Sequence, residues 1–114
     1  MNTDTNELLV EKLVMIFPDI TARNRVIAIL NQYGAEPYEK EIVRVRLDIL
    51  KLSGNSIEDV QRWVDIAKKD YRDILASAEY PYELLAPTWR MPKDETTHIQ
   101  TTDRKQYEEW INRK

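Results

Sequence analysis

The sequence predicts an all-α fold, a small antiparallel bundle of four main helices with an irregular C-terminal strap and a short terminal helix. Three observations predict it. From Ser56 to Ala78 the residues Ile57, Val60, Val64, Ala67, Tyr71, Ile74 and Ala78 keep an unbroken three-four rhythm, the mark of an amphipathic helix of about six turns. From Tyr38 to Leu52 a second rhythm runs through Ile42, Val45 and Ile49, with Val43, Leu47 and Leu50 on another stripe. The third observation is punctuation: the 2 glycines, Gly34 and Gly54, each follow a periodic segment, where a helix end favours a residue that tolerates the left-handed conformation.

The elements follow in order. Asp4 with Glu7 has the spacing of a capping box and opens a helix with Leu9, Leu13, Ile16 and Phe17 on one face. Pro18 ends it, because the residue before a proline avoids the helical region. Asp19 or Thr21 caps a second helix, whose face is Val26, Ile27, Leu30 and Tyr33. Pro37 suits the first turn of a third helix, where its missing N–H costs nothing. The two stripes make that helix the central one. Ser56 with Asp59 caps the fourth, which runs to Tyr80 before Pro81. Residues 82–86 can add one turn before Pro87. Residues 88–102 show no helical period, and Pro92 with a polar tract makes them read as an irregular strap. Asp103 with Gln106 then caps a terminal helix over 103–112 that carries Tyr107, Trp110 and Ile111. The whole chain, 1–114, reads as one helical domain.

Composition narrows the chemistry. The chain has 114 residues, 42% hydrophobic and 32% charged, with net charge −3. That balance favours a folded, highly soluble protein with one core. The absence of cysteine excludes disulfides, thiolate metal sites and cysteine nucleophiles. The polar N-terminal residues lack the form of a secretory signal, and no apolar run approaches the ~20 residues that span a bilayer. The expected compartment is the cytoplasm. Interleaved charges give no reason to expect nucleic acid or a membrane as partner.

Several constellations are candidate sites. Asp70-Tyr71-Arg72-Asp73 is the densest polar cluster on a helix. Tyr71 falls near the centre of the buried stripe, with Asp70 and Arg72 on opposite flanks. On a continuous helix those two cannot meet, so each would tether another element, while Asp73 would pair with Lys69. Glu79 and Glu83 bracket Tyr80-Pro81-Tyr82, and read as solvated acids at a structured corner. Glu95 and His98 have the Glu-x-x-His spacing of dimetal bundles, but that spacing works only on a helix, Thr96-Thr97 in a proline-flanked strap is poor helix, and the second motif such a site needs is missing. A helix-turn-helix reading of the second and third helices fails on Glu39, Glu41 and Asp48, which would repel phosphates. Ile66 falls on the solvent side of the fourth helix. Tyr80, Tyr82, Trp89, Tyr107 and Trp110 make up half of the aromatics. They can pin a strap onto a bundle or form a binding surface, and strap-pinning by Trp89 and Trp110 is the favoured reading.

The stretch Leu50-Lys51-Leu52, then Ala67 to Pro81 with Asp70-Tyr71-Arg72-Asp73 and Ala78-Glu79-Tyr80-Pro81, resembles a family of small bacterial helical proteins. The similarity is clearest over residues 45–81 and extends to Asp103-Arg104-Lys105-Gln106-Tyr107 and Trp110. That family has no established activity, so the resemblance implies a bacterial source and a stand-alone small protein, and supplies no catalytic residues.

The sequence therefore points to a cytoplasmic, non-enzymatic interaction or regulatory module. Its partner is another protein or a second copy, with Trp89, Tyr107 and Trp110 as the candidate surface. No catalytic, cofactor-binding or metal-ligating set is assigned. The alternative is a ligand-binding protein or enzyme with a polar site between the fourth helix and the strap, built from Asp70, Arg72, Glu79 and His98.

Overall fold

A computed structural model describes residues 5–86 and 88–113. Among these residues there are seven α-helices, one 3-10 turn and no strand. The helices are α1 (Thr5–Ile16), α2 (Ile20–Leu30), α3 (Ile42–Ser53), α4 (Ile57–Lys69), α5 (Tyr71–Glu79), α6 (Pro81–Leu85) and α7 (Lys93–Asn112), with the 3-10 turn at Thr88–Arg90. The all-α expectation holds. The division into four main helices does not, and the Asp4 cap and the break at Pro87 lie outside the described residues.

Helix α3 is the centre, as its two stripes require. Val45, Ile49 and Leu50 are completely buried, and α1, α4 and α5 all pack against it. The core is completed by Leu9 and Leu13 of α1, Val26 and Leu30 of α2, Val60 and Val64 of α4, and Ile74 of α5. Two caps form where the sequence places them, at Asp19 and Ser56. The Asp19 carboxylate accepts from Ala22 N at 2.8 Å, and Ser56 Oγ accepts from Asp59 N at 3.2 Å.

The long fourth helix is in fact two. Asp70 is extended (φ −159°, ψ 105°), and its carboxylate accepts from Arg72 N as the N-cap of α5. Aspartate offers the backbone an alternative to helical bonding, and both halves bury their stripes against α3. The apolar rhythm therefore crosses the break undisturbed. Tyr71 opens a new helix and is only half-buried. Ile66 is half-buried against the core rather than solvent-facing, since α4 has α2, α3 and α5 around it. The third helix starts at Ile42, not Pro37, because Glu39 organises the preceding loop. Its carboxylate accepts from Gly34 N at 2.8 Å, Glu36 N at 3.0 Å and Lys68 Nζ at 3.0 Å. Tyr38 is left exposed.

The strap is the largest correction. Residues 93–112 form the longest helix of the structure. Its inward residues are Thr96, Ile99, Thr102, Asp103, Gln106, Tyr107 and Trp110, a three-four rhythm written mostly in polar side chains. A search for apolar period cannot see it. Thr101 and Thr102 return their hydroxyls to Thr97 O and His98 O, both at 2.9 Å, which settles polar β-branched residues in the helix. Asp94 and Glu95 suit the positive N-terminal end.

Asp103 and Gln106 therefore do not start a helix; they finish others. The buried Asp103 carboxylate accepts from Tyr82 N at 2.9 Å and Glu83 N at 3.0 Å, capping α6 from twenty residues away. Gln106 Nε2 donates to Ala78 O at 3.1 Å, near the end of α5. Lys12 of α1, 2% exposed, donates to Trp110 O and, at 2.9 Å, to Arg113 O, closing the C-terminus of α7. Arg46 of α3 does the same for α2, reaching Leu30 O at 3.1 Å and Tyr33 O at 2.7 Å.

Gly34 has φ +109°, and a Cβ there would stand 2.8 Å from both Arg46 Nη2 and Ile42 Cγ2. Gly34→Ala should cost about 2–3 kcal/mol in denaturant unfolding, through strain and a displaced Arg46 cap. Gly54 has open space around it but lies at φ +59°, ψ −127°, outside the left-handed helical region, so Gly54→Ala should cost roughly 1–3 kcal/mol through backbone strain alone. Asp103→Ala strands two N–H groups and should lower stability by roughly 2–3 kcal/mol. Hydrogen exchange at Tyr82 and Glu83 should quicken beyond the global change.

Candidate functional site

Where α3, α5 and α7 meet, four titratable side chains converge. Helix α3 places Arg44 and Asp48 one turn apart, α5 ends on Glu79, and α7 brings Tyr107. Arg44 grips Glu79 with two hydrogen bonds, Nε to Oε2 at 2.8 Å and Nη2 to Oε1 at 2.5 Å, the fork geometry that makes such pairs strong. The Tyr107 hydroxyl donates to Asp48 Oδ1 at 2.5 Å. Asp48 is 0% exposed. Its Oδ2 is buried and receives no hydrogen bond, and the Glu79 carboxyl lies within bonding reach.

Two carboxyl groups this close cannot both ionise in a dry site. Burial, and then the neighbouring Glu79, push Asp48 up to about 9. Burial alone would raise Glu79 too, but the Arg44 fork and the Asp48 hydrogen bond outweigh it and hold Glu79 below the usual range. At neutral pH Asp48 therefore carries the proton and donates it toward an ionised Glu79. Hydrogen bonding to Glu79 holds Arg44 firmly charged. Burial and the adjoining acid keep Tyr107 protonated.

A neutral acid beside an ionised one is an arrangement that can do acid–base chemistry. Glu79 and Tyr107 line two grooves, one of about 490 Å³ with apolar walls from Leu8, Ile42, Val43, Leu47 and Ile111. The other, of about 340 Å³, is bordered by Glu83, Gln100 and Arg104. Asp48 lines neither groove. Glu79 is only 12% exposed at its side chain and has both oxygens in the Arg44 fork. Arg44, Glu79 and the Tyr107 hydroxyl are hydrogen-bonded within the set, Asp48 Oδ2 faces Glu79 only if it carries the proton, and the set works as a latch joining three helices. Among the described residues no group of three or more histidine, aspartate or glutamate side chains could hold a metal.

The other expected site residues lie elsewhere. Asp70 and Arg72 do not tether separate elements; they bond each other at the α4–α5 joint, through two contacts of 2.9 Å. The break at Asp70 is what lets them meet. No ion pair joins Lys69 to Asp73 among the described residues. His98 is exposed on α7. Of the expected polar set, only Glu79 enters the cluster, and as a buried partner rather than a solvated acid. Trp110 packs against the core, its ring 4.5 Å from Lys12 Nζ and 6.2 Å from the Tyr107 ring. Trp89 anchors nothing: it is 77% exposed, with the Arg90 guanidinium over its ring at 4.3 Å.

The buried roles of Asp48, Arg44 and Lys12 are not among the sequence expectations; Asp48 enters there only as an acid that would repel phosphates. A signal existed for two of them. Asp48 lies three residues from Val45 and four from Leu52, and Lys12 three from Leu9; both are charged residues at core positions of a helical stripe. No protein-family model, curated protein or solved structure matches the chain.

The proton on Asp48 sets a pH dependence with a definite sign. Its ordinary value is 3.8 and its folded value about 9, so the folded chain keeps a proton that the unfolded chain releases. The stability tied to it is complete below about pH 4 and is lost as pH rises toward about 9. Asp48→Asn keeps an acceptor for Tyr107 and gains a donor for Glu79. The variant should be more stable than the parent by on the order of a few kcal/mol near neutral pH. Its melting temperature should also fall less steeply on the alkaline side. A variant that melts lower at every pH would place the proton elsewhere.

Proposed function

We propose that this chain is a cytoplasmic, non-enzymatic protein-interaction module of bacterial origin, and that it makes contact through the corner formed by α6 and the 3-10 turn. The observation that carries the reading is the exposure of that corner. Tyr80, Tyr82, Leu84, Leu85 and Trp89 are all solvent-exposed, Leu85 to 86%. Five large apolar side chains uncovered within ten residues are an unusual concentration; single exposed ones are ordinary. Tryptophan and tyrosine are also the residues enriched where binding energy concentrates. The other uncovered strip, Val10, Val14 and Met15 on α1, has no aromatic residue.

The competing reading, a ligand-binding protein or enzyme, draws support from the two grooves beside Glu79 and Tyr107. Its weakness is that the polar groups there already satisfy one another. Among the described residues no helix is long and apolar enough to cross a membrane, in keeping with a reading that involves no membrane partner.

The reading is tested by a photo-reactive residue placed at position 85, irradiated in the native cell. A discrete covalent adduct is expected there, and none from a control at position 62, whose arginine is exposed on α4. The adduct should vanish when Trp89→Ala is added, while the melting temperature stays within a degree or so of the parent, as for other exposed substitutions. If position 85 yields no adduct, the corner is not a contact surface.

A further inference from the structure

We propose that the occupant of this corner is a second copy of the chain, docked about a two-fold axis; the inference rests on the interaction reading above. The first argument is area. A whole aromatic side chain buries ~150–250 Å². Scaled by their exposure, Trp89, Tyr82 and Tyr80 with the two leucines offer roughly 600 Å² of apolar surface. That is the upper end of the ~300–600 Å² found as the largest patch on a monomer. Paired with itself, the patch would bury roughly 1,200 Å², at the lower edge of specific interfaces, before any rim contact is added.

The second argument is charge. Beside Tyr80 a groove is lined by Glu83 and Glu108 with Arg104, Arg90 lies over Trp89, and Lys93, Asp94 and Glu95 are exposed in the turn of helix that follows, four acids against three bases. The rim is nearly balanced in sign, so it has little excess charge with which to select a partner of opposite charge. A two-fold rotation brings the same rim onto itself, where acids can meet bases with little net repulsion. The chain's net charge of −3 adds little long-range repulsion between copies. A corner of this size predicts a reversible dimer that forms at micromolar concentrations or above.

Sedimentation equilibrium of the full chain provides the test. From low micromolar to near-millimolar concentration the weight-average mass should rise toward twice that of the chain. Trp89→Ala with Leu85→Ser should hold it at the monomer mass, with an unchanged circular dichroism spectrum and melting curve. A chain that stays monomeric throughout, or a dimer that persists in the double variant, overturns the inference. The adduct from position 85 separates the two readings. An adduct of the chain with itself supports both. One with a different protein alone overturns the second copy and leaves the interaction reading standing, and no adduct overturns both.

Discussion

The structure depends on how it satisfies the ends of its helices. Every helix leaves unpaired N–H groups at one end and unpaired carbonyls at the other, and a chain of seven short helices has many such ends to cover. Local caps serve α2, α4 and α5 at their starts. Four other ends are reached by side chains from other helices. Arg46 closes α2, Lys12 closes α7, Gln106 reaches the end of α5, and Asp103 caps α6. The signs are those the helix dipole favours, cations at carbonyl ends and an anion at an N–H end. These contacts fix where each helix stops and what lies beside it.

Helix α7 shows what this costs. Its inner face is given over to capping and to the bond from Tyr107 to Asp48, so it offers little apolar surface to the residues that precede it. Tyr82, Leu84, Leu85 and Trp89 remain largely exposed although α6 lies against α7. The exposed corner and the polar inner stripe are two results of one choice. A more apolar α7 would have drawn the corner inward and left Asp103 and Gln106 no route to the ends of α5 and α6.

The buried acid pair fits the same logic. A carboxyl group with no solvent contact is destabilising unless protonated and bonded. Asp48 meets that condition through Glu79 and Tyr107, and Glu79 through Arg44. An apolar residue at position 48 would pack at less cost, but it would leave the Tyr107 hydroxyl without its acceptor. It would also take from Glu79 one of the partners that keep it ionised. The network ties α3, α5 and α7 into one register, because its bonds demand one relative placement of three helices, whereas apolar stripes tolerate several.

The all-α class, the central place of α3, and the caps at Asp19 and Ser56 were determined by the sequence alone. They rest on local propensity and on the apolar period, both carried by residues close together along the chain. The break at Asp70 was hidden because α4 and α5 bury their stripes against the same neighbour, so the period runs through it. Helix α7 was hidden because its period is polar. Of the cluster at the α3–α5–α7 junction, Glu79 was singled out as part of a possible polar site and Tyr107 only as a surface aromatic. Asp48 figured only as an acid hostile to phosphates, and Arg44 only as a charge on the third helix. What only the tertiary structure decided was the pairing: Asp103 with α6, Lys12 with α7, Asp48 with Glu79. Each joins groups far apart in sequence, and a buried polar group takes its role from whichever partner the fold carries into hydrogen-bonding distance.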